Sequence, residues 1–108
     1  YRHFDTAYNY LNEEAVGRAL RRWIDAGKLK REDIFVTTKL PMIAMRAKDV
    51  PVFLHKSLKN LGLDYVDCYL VHCTVGFNPQ ENDKNVFPVA VSFDRVQATR
   101  VVSSSLRG

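Results

Sequence analysis

Four polar residues in the first 72 positions could do chemistry together: Asp5, Tyr10, Lys39 and His72. Asp5, Lys39 and His72 lie 34 and 33 positions apart, close to one strand–helix unit each. Each closes or directly follows a short β-forming run. In a parallel α/β fold the C-terminal ends of the strands converge on one face, and that face carries the active site. Tyr10 sits in the loop after the first run, over the same mouth. A free tyrosine, with a pKa near ~10, is a poor acid at neutral pH. A lysine ammonium beside a phenol favours the phenolate, and a carboxylate next to the lysine keeps it charged and oriented. A histidine can donate a hydrogen bond to a developing oxyanion. The set could protonate a carbonyl oxygen while a bound cofactor delivers hydride, since no side chain does so.

Each residue alone also has a plain structural reading. Asp5 and Lys39 could be an ion pair plugging a barrel end. His72 could be a hydrogen-bonded structural histidine, and Tyr10 a packing aromatic. The set is more specific than any member, but the residues by themselves leave the choice open.

The elements that must position them alternate. Residues 1–5 read as a strand and 6–12 as a loop. Asn12 is a candidate N-cap, with Glu13 and Glu14 in the first turn, where the helix dipole favours negative charge. A helix is expected from Glu13 to Ala26, with the apolar stripe Val16, Ala19, Leu20, Trp23 and Ile24, ended by Gly27. Ile34 to Thr38 is a buried strand, and Leu40 to Lys48, with Pro41, is a loop. Asp49 is placed to cap a second helix with Pro51 in its first turn. The stripe of that helix is Val50, Leu54, Leu58 and Leu61, and Gly62 ends it. Tyr65 to Val71 is a third strand. Strand, helix, strand, helix, strand argues for parallel strands with right-handed helical crossovers.

The rest of the chain breaks the pattern. Residues 74–88 read as a loop rich in Asn, Pro and charge. Val89, Val91 and Phe93 alternate, a serine run closes the chain, and the third crossover helix due by about residue 90 is missing. A division is accordingly expected at 1–88, which holds the βα units, and 89–108, a divergent and disordered tail.

Composition narrows the function classes. At 108 residues the chain holds at most one ordinary domain. It is 46% hydrophobic and 26% charged, a globular balance. Its apolar runs fall far short of the roughly 20 residues a spanning helix needs, so no membrane association is expected. The net charge of +4 comes with scattered basic residues. The one cluster, Arg18, Arg21, Arg22, Lys28, Lys30 and Arg31, reads as a solvated helix face and exit loop. It carries no nucleic-acid motif. Cys68 and Cys73 lack the array a disulfide framework or metal site requires. Free thiols in a reducing, cytoplasmic compartment follow, with no secretory signal in view.

Three segments resemble the aldo-keto reductases. Tyr1-Arg2-His3-Phe4-Asp5-Thr6-Ala7, then Glu13 and Val16-Gly17, is similar to that family's first signature. Lys30 to Leu40 resembles the segment bearing its lysine, and Leu61 to His72 the segment bearing its histidine. The resemblance covers residues 1 to about 78, in family order and spacing. It implies an α/β fold, here a partial (β/α)8 TIM barrel of about two and a half βα units out of eight, with a divergent C-terminal tail. It implies an NADPH (NADP+)-dependent oxidoreductase that reduces aldehydes and ketones to alcohols. Tyr10 would be the proton donor, Lys39 its activator and Asp5 the partner of Lys39, close to the nicotinamide ribose. His72 would orient the carbonyl, and Tyr10, His72 and Cys73 would touch substrate. The partner is a small-molecule carbonyl compound, and the full-length parent is expected to be monomeric.

The chain departs from the family where many members carry Trp after the histidine, here Cys73 followed by Thr74, and Trp two residues after the lysine, here Pro41. Both changes are expected to reshape and open the substrate pocket. The segments that grip most of the cofactor belong to the second half of the family's barrel. The 108 residues alone are therefore expected to be marginally folded and weakly active or inactive. The alternative keeps the same fold as a non-catalytic truncated isoform, a binding or interaction module.

Overall fold

A three-stranded parallel sheet lies under two helices. The computed structural model describes residues 1–77; most of the expected 74–88 loop, the boundary at 88 and the tail at 89–108 lie outside the described residues. The elements run β1 (His3–Asp5), α1 (Glu13–Asp25), β2 (Phe35–Leu40), α2 (Val50–Leu61) and β3 (Cys68–Val71), with single 3-10 turns at Tyr8–Tyr10, Arg31–Asp33 and Met42–Ala44. The strand order is β1-β2-β3. His3 pairs with Phe35, Asp5 with Thr37, and Lys39 with Leu70. Parallel neighbours cannot be joined by a tight hairpin, so each helix serves as the crossover.

The core follows from the side-chain alternation of a strand. Val36 faces the helices and is fully buried among Leu20, Ile34, Leu54, Leu58, Leu61 and Val66. Leu40 begins a second cluster with Ile43, Ala44 and Phe53. The helices end as expected. Gly27 and Gly62 hold positive φ of 68° and 64°, and the amides after them reach back to Trp23 O and Leu58 O at 3.1 Å each. That is the left-handed close for which glycine is suited.

Four expectations change. The buried face of α1 keeps Val16, Leu20 and Ile24 of the expected stripe against the core but leaves out Ala19 and Trp23. Trp23 is half exposed, whereas Glu13, Gly17 and Leu20 are buried. The helix rolls because its tightest neighbour is α2: a Cβ on Gly17 would overlap the Leu61 carbonyl, with Leu61 Cα only 2.8 Å away. Neither Asn12 nor Asp49 caps its helix through its side chain; Asn12 Oδ1 instead accepts from Thr6 Oγ1 at 3.3 Å. The segment Leu40 to Lys48 is not a plain loop. Leu40 extends β2, and Ile43 and Ala44 are buried because their turn seals the second cluster.

Arg31 is the fourth. It does not belong to a solvated basic face, since its guanidinium forms an ion pair with Asp67 at 2.8 Å. It also donates to Tyr65 O and Ile34 O at 2.9 Å each and stacks over the Tyr65 ring. Asp67 in turn accepts the Val36 amide at 2.8 Å. This knot holds the N-terminal ends of β2 and β3 in register. The regular part of the expected strand Tyr65–Val71 starts at Cys68, although the Asp67 amide already donates to Val36 O at 2.9 Å.

Candidate active site

The sheet register sets Lys39 at the centre. Side chains of β2 alternate: Val36, Thr38 and Leu40 face the helices, and Lys39 emerges on the other face near the strand's C-terminal end. Its ammonium has three protons and three acceptors: Asp5 Oδ1, the Thr6 carbonyl at 2.9 Å and the Tyr10 phenol oxygen at 3.4 Å. The Lys39 side chain is mostly covered and Asp5 is about half exposed. Tyr10 is half exposed at the rim, and its ring meets the His72 ring edge-on, centroids 5.5 Å apart. The His72 amide donates to Leu40 O at 3.3 Å, extending the sheet by one residue. Its Nδ1 is buried with no partner among the described residues.

The structure thus brings together Asp5, Tyr10, Lys39 and His72. Cys73, a free thiol, follows His72 and is partly buried. Pro41 is fully buried and leads the 3-10 turn, its carbonyl accepting the Ala44 amide at 3.0 Å. The loop after β3 docks on that same turn, with Phe77 N donating to Met42 O at 2.9 Å.

Sequence reasoning missed two groups. The Thr6 carbonyl is a backbone acceptor, which residue type does not advertise. The second is a buried chain behind β2: Thr38 Oγ1 donates to Glu13 Oε1 at 2.6 Å, and Asn60 Nδ2 donates to Glu13 Oε2 at 3.2 Å. Glu13 had a signal in its place in the first signature segment, but a first-turn position does not foretell burial between β2 and α2.

Charge around Lys39 favours the ammonium. Burial works to lower its pKa, but the hydrogen bonds and charge of Asp5 and Tyr10 outweigh that and hold it above its ordinary 10.5. A lysine raised on folding adds stability that is fully present below the unfolded-state pKa and lost as pH rises through the higher folded value. Burial, and next the nearby Glu13 carboxylate, also raise Tyr69. An acid raised on folding destabilises over the same alkaline range. The two are separated by substitution: in Lys39→Met the fall of the urea midpoint above pH 10.5 should be shallower than in the unaltered chain. An equal fall would show that the Asp5–Lys39–Tyr10 contacts contribute nothing to stability.

Among the described residues no helix is long and apolar enough to cross a membrane. Parallel βα units with a polar cluster at the C-terminal ends of the strands define an α/β protein. The model of the aldo/keto reductase family matches residues 1–93, and the chain belongs to that family. It is 51% identical over 89 residues to aldo-keto reductase family 1 member C13 of Mus musculus, covering 82% of this chain and 27% of that protein. It is 47% identical over 98 residues to dihydrodiol dehydrogenase 3 of Bos taurus, covering 87% of this chain and 30% of that one. Among solved structures, a Bombyx mori aldo-keto reductase in complex with NADP superimposes with TM-score 0.72 at 46% identity, over 73% of this chain and 26% of that chain. The Schistosoma japonicum aldose reductase does so with TM-score 0.76 at 41% identity, over 83% and 29%. The described βαβαβ unit is therefore part of a TIM barrel, and the chain spans less than a third of the length of these relatives.

Proposed function

We propose that this site reduces the carbonyl group of aldehydes and ketones to an alcohol, with NADPH as the reductant. The observation that carries the reading is the direction of one hydrogen bond. Lys39 donates to the Tyr10 oxygen, so the phenol's own proton is left to point elsewhere, toward a substrate at the mouth. Tyr10 gives that proton to the carbonyl oxygen. The ammonium stabilises the negative charge left on the phenol oxygen, Asp5 and the Thr6 carbonyl hold the ammonium in place, and solvent returns the proton to Tyr10. His72, edge-on to Tyr10, orients the carbonyl, and Cys73 beside it contacts the substrate.

Asp5 fits a role in holding the cofactor, because its half-exposed carboxylate can accept from a ribose hydroxyl while Lys39 neutralises its charge. Bound NADPH supplies the hydride that reaches the carbonyl carbon. The solved relative bound to NADP supports that choice, and two free thiols suit the reducing cytoplasm.

A graft tests the proposal. Residues 1–77 replace the matching segment of bovine dihydrodiol dehydrogenase 3, and both the graft and the 108-residue chain are titrated with NADPH by fluorescence. The graft is expected to bind NADPH and consume it with an aromatic aldehyde. A folded graft that binds NADPH without reducing any carbonyl would contradict the assignment.

A further inference from the structure

The loop that carries Tyr10 is tied at both ends to consecutive residues of one strand. At its start, the Thr6 carbonyl accepts from Lys39 Nζ at 2.9 Å. At its end, Glu13 Oε1 accepts from Thr38 Oγ1 at 2.6 Å. Thr38 and Lys39 are neighbours in β2 and face opposite sides of the sheet, so one tie lies on the mouth side and the other on the helix side. Between the ties the loop is further constrained. Thr6 Oγ1 bonds Asn12 Oδ1 across it at 3.3 Å, and Leu11, directly after Tyr10, has φ of 55°, an uncommon conformation for a residue with a branched side chain.

Glu13 is the unexpected member. It is 2% exposed, and burying a carboxylate is costly unless it is hydrogen-bonded. Both of its oxygens are served, the second by Asn60 Nδ2 of α2 at 3.2 Å, and its place as the first residue of α1 puts it where a helix dipole favours negative charge. Both partners donate, so a neutral amide, with one acceptor and one donor in place of two acceptors, matches only one of them as they stand. What the carboxylate does is join three elements, the start of α1, the middle of β2 and the end of α2, at a point three residues beyond Tyr10 and one before Lys39.

We propose that Glu13 is a positioning residue for the Tyr10–Lys39 pair, acting through Thr38 on β2 and through the start of α1 on the Tyr10 loop. This rests on the reading of Tyr10 and Lys39 as the proton-delivering pair, but the geometry can be measured without turnover. Removing the tie frees the end of the loop, and Tyr10 moves away from Lys39 while Asp5 stays.

The test uses the full 108-residue chain with lysine and tyrosine side chains labelled for NMR, in Glu13→Gln, Thr38→Val and Thr38→Ser. Two quantities are read: the cross-peaks between the Lys39 ε-methylene and the Tyr10 ring, and the titration of the Lys39 ammonium. Glu13→Gln and Thr38→Val should keep the dispersed amide spectrum, lose the Lys39–Tyr10 cross-peaks and shift the Lys39 titration downward. Thr38→Ser, which keeps the donor, should restore both. Unchanged cross-peaks and titration in folded Glu13→Gln and Thr38→Val would overturn the proposal. So would collapse of the whole amide spectrum in Thr38→Val, which would make the tie a support of the fold and nothing more. Failure of the catalytic reading would leave these spectra as expected and appear only as an active Tyr10→Phe graft.

Discussion

Replacing Tyr10 by Phe in the graft should lower turnover of an aromatic aldehyde by about 10²–10⁴-fold, the usual contribution of a positioned general acid, and leave NADPH affinity unchanged. The size follows from what the substitution removes. Phe keeps the ring and its edge-on contact with His72, so the mouth keeps its shape. Only the hydroxyl is lost, and with it the proton and the acceptor that Lys39 meets at 3.4 Å. Lys39 retains Asp5 and the Thr6 carbonyl, so the ammonium stays in place without a phenol to act on. A structural role for Tyr10 predicts the opposite pattern, little change in turnover and a cost confined to packing. Measured kcat and the NADPH dissociation constant separate the two, and unchanged turnover would remove Tyr10 from the chemistry.

Gly17→Ala should destabilise the chain by about 2 kcal/mol, read as a lower urea midpoint. Two effects oppose each other. Alanine in place of glycine inside a helix gains about 1 kcal/mol. Overpacking costs about 1–3 kcal/mol, and here the upper end applies because the added Cβ meets backbone that cannot rotate away, Leu61 C at 2.6 Å and Leu61 Cα at 2.8 Å. The clash therefore wins, and α1 and α2 must separate. Separation also lengthens the reach from Glu13 on α1 to Asn60 on α2, joined at 3.2 Å, so the cost carries toward the site. A midpoint equal to or above that of the unaltered chain would mean that the helices do not pack through Gly17.

The alternation of strands and helices was legible because hydrophobic period and glycine punctuation are local signals. Gly27, Gly62 and the stripe Leu54, Leu58 and Leu61 all lie where the pattern put them. The candidate site was legible for a related reason: a parallel sheet delivers residues spaced by one βα unit to one mouth, so Asp5, Lys39 and His72 had to converge if the strands paired in order. What escaped the sequence depends on which neighbour each element chooses. The roll of α1 follows from the glycine contact with α2, which no periodicity on α1 alone reveals. Glu13 reads as a first-turn acid until Thr38 and Asn60 arrive from other elements to bury it. Arg31 reads as surface charge until Asp67, Tyr65 and Ile34 surround it.

The central claim is that hydride from NADPH and a proton from Tyr10 meet on a carbonyl held between Tyr10 and His72. It is tested most directly by tracing the hydrogen that reaches carbon. The graft is supplied with an aromatic aldehyde and NADPH carrying deuterium at the transferable position of the nicotinamide, in ordinary water, and the alcohol is examined by NMR. Deuterium is expected on the carbinol carbon in the graft, with loss of that product in Tyr10→Phe. An alcohol whose carbinol hydrogen comes from solvent, or one formed as fast without Tyr10, would contradict it.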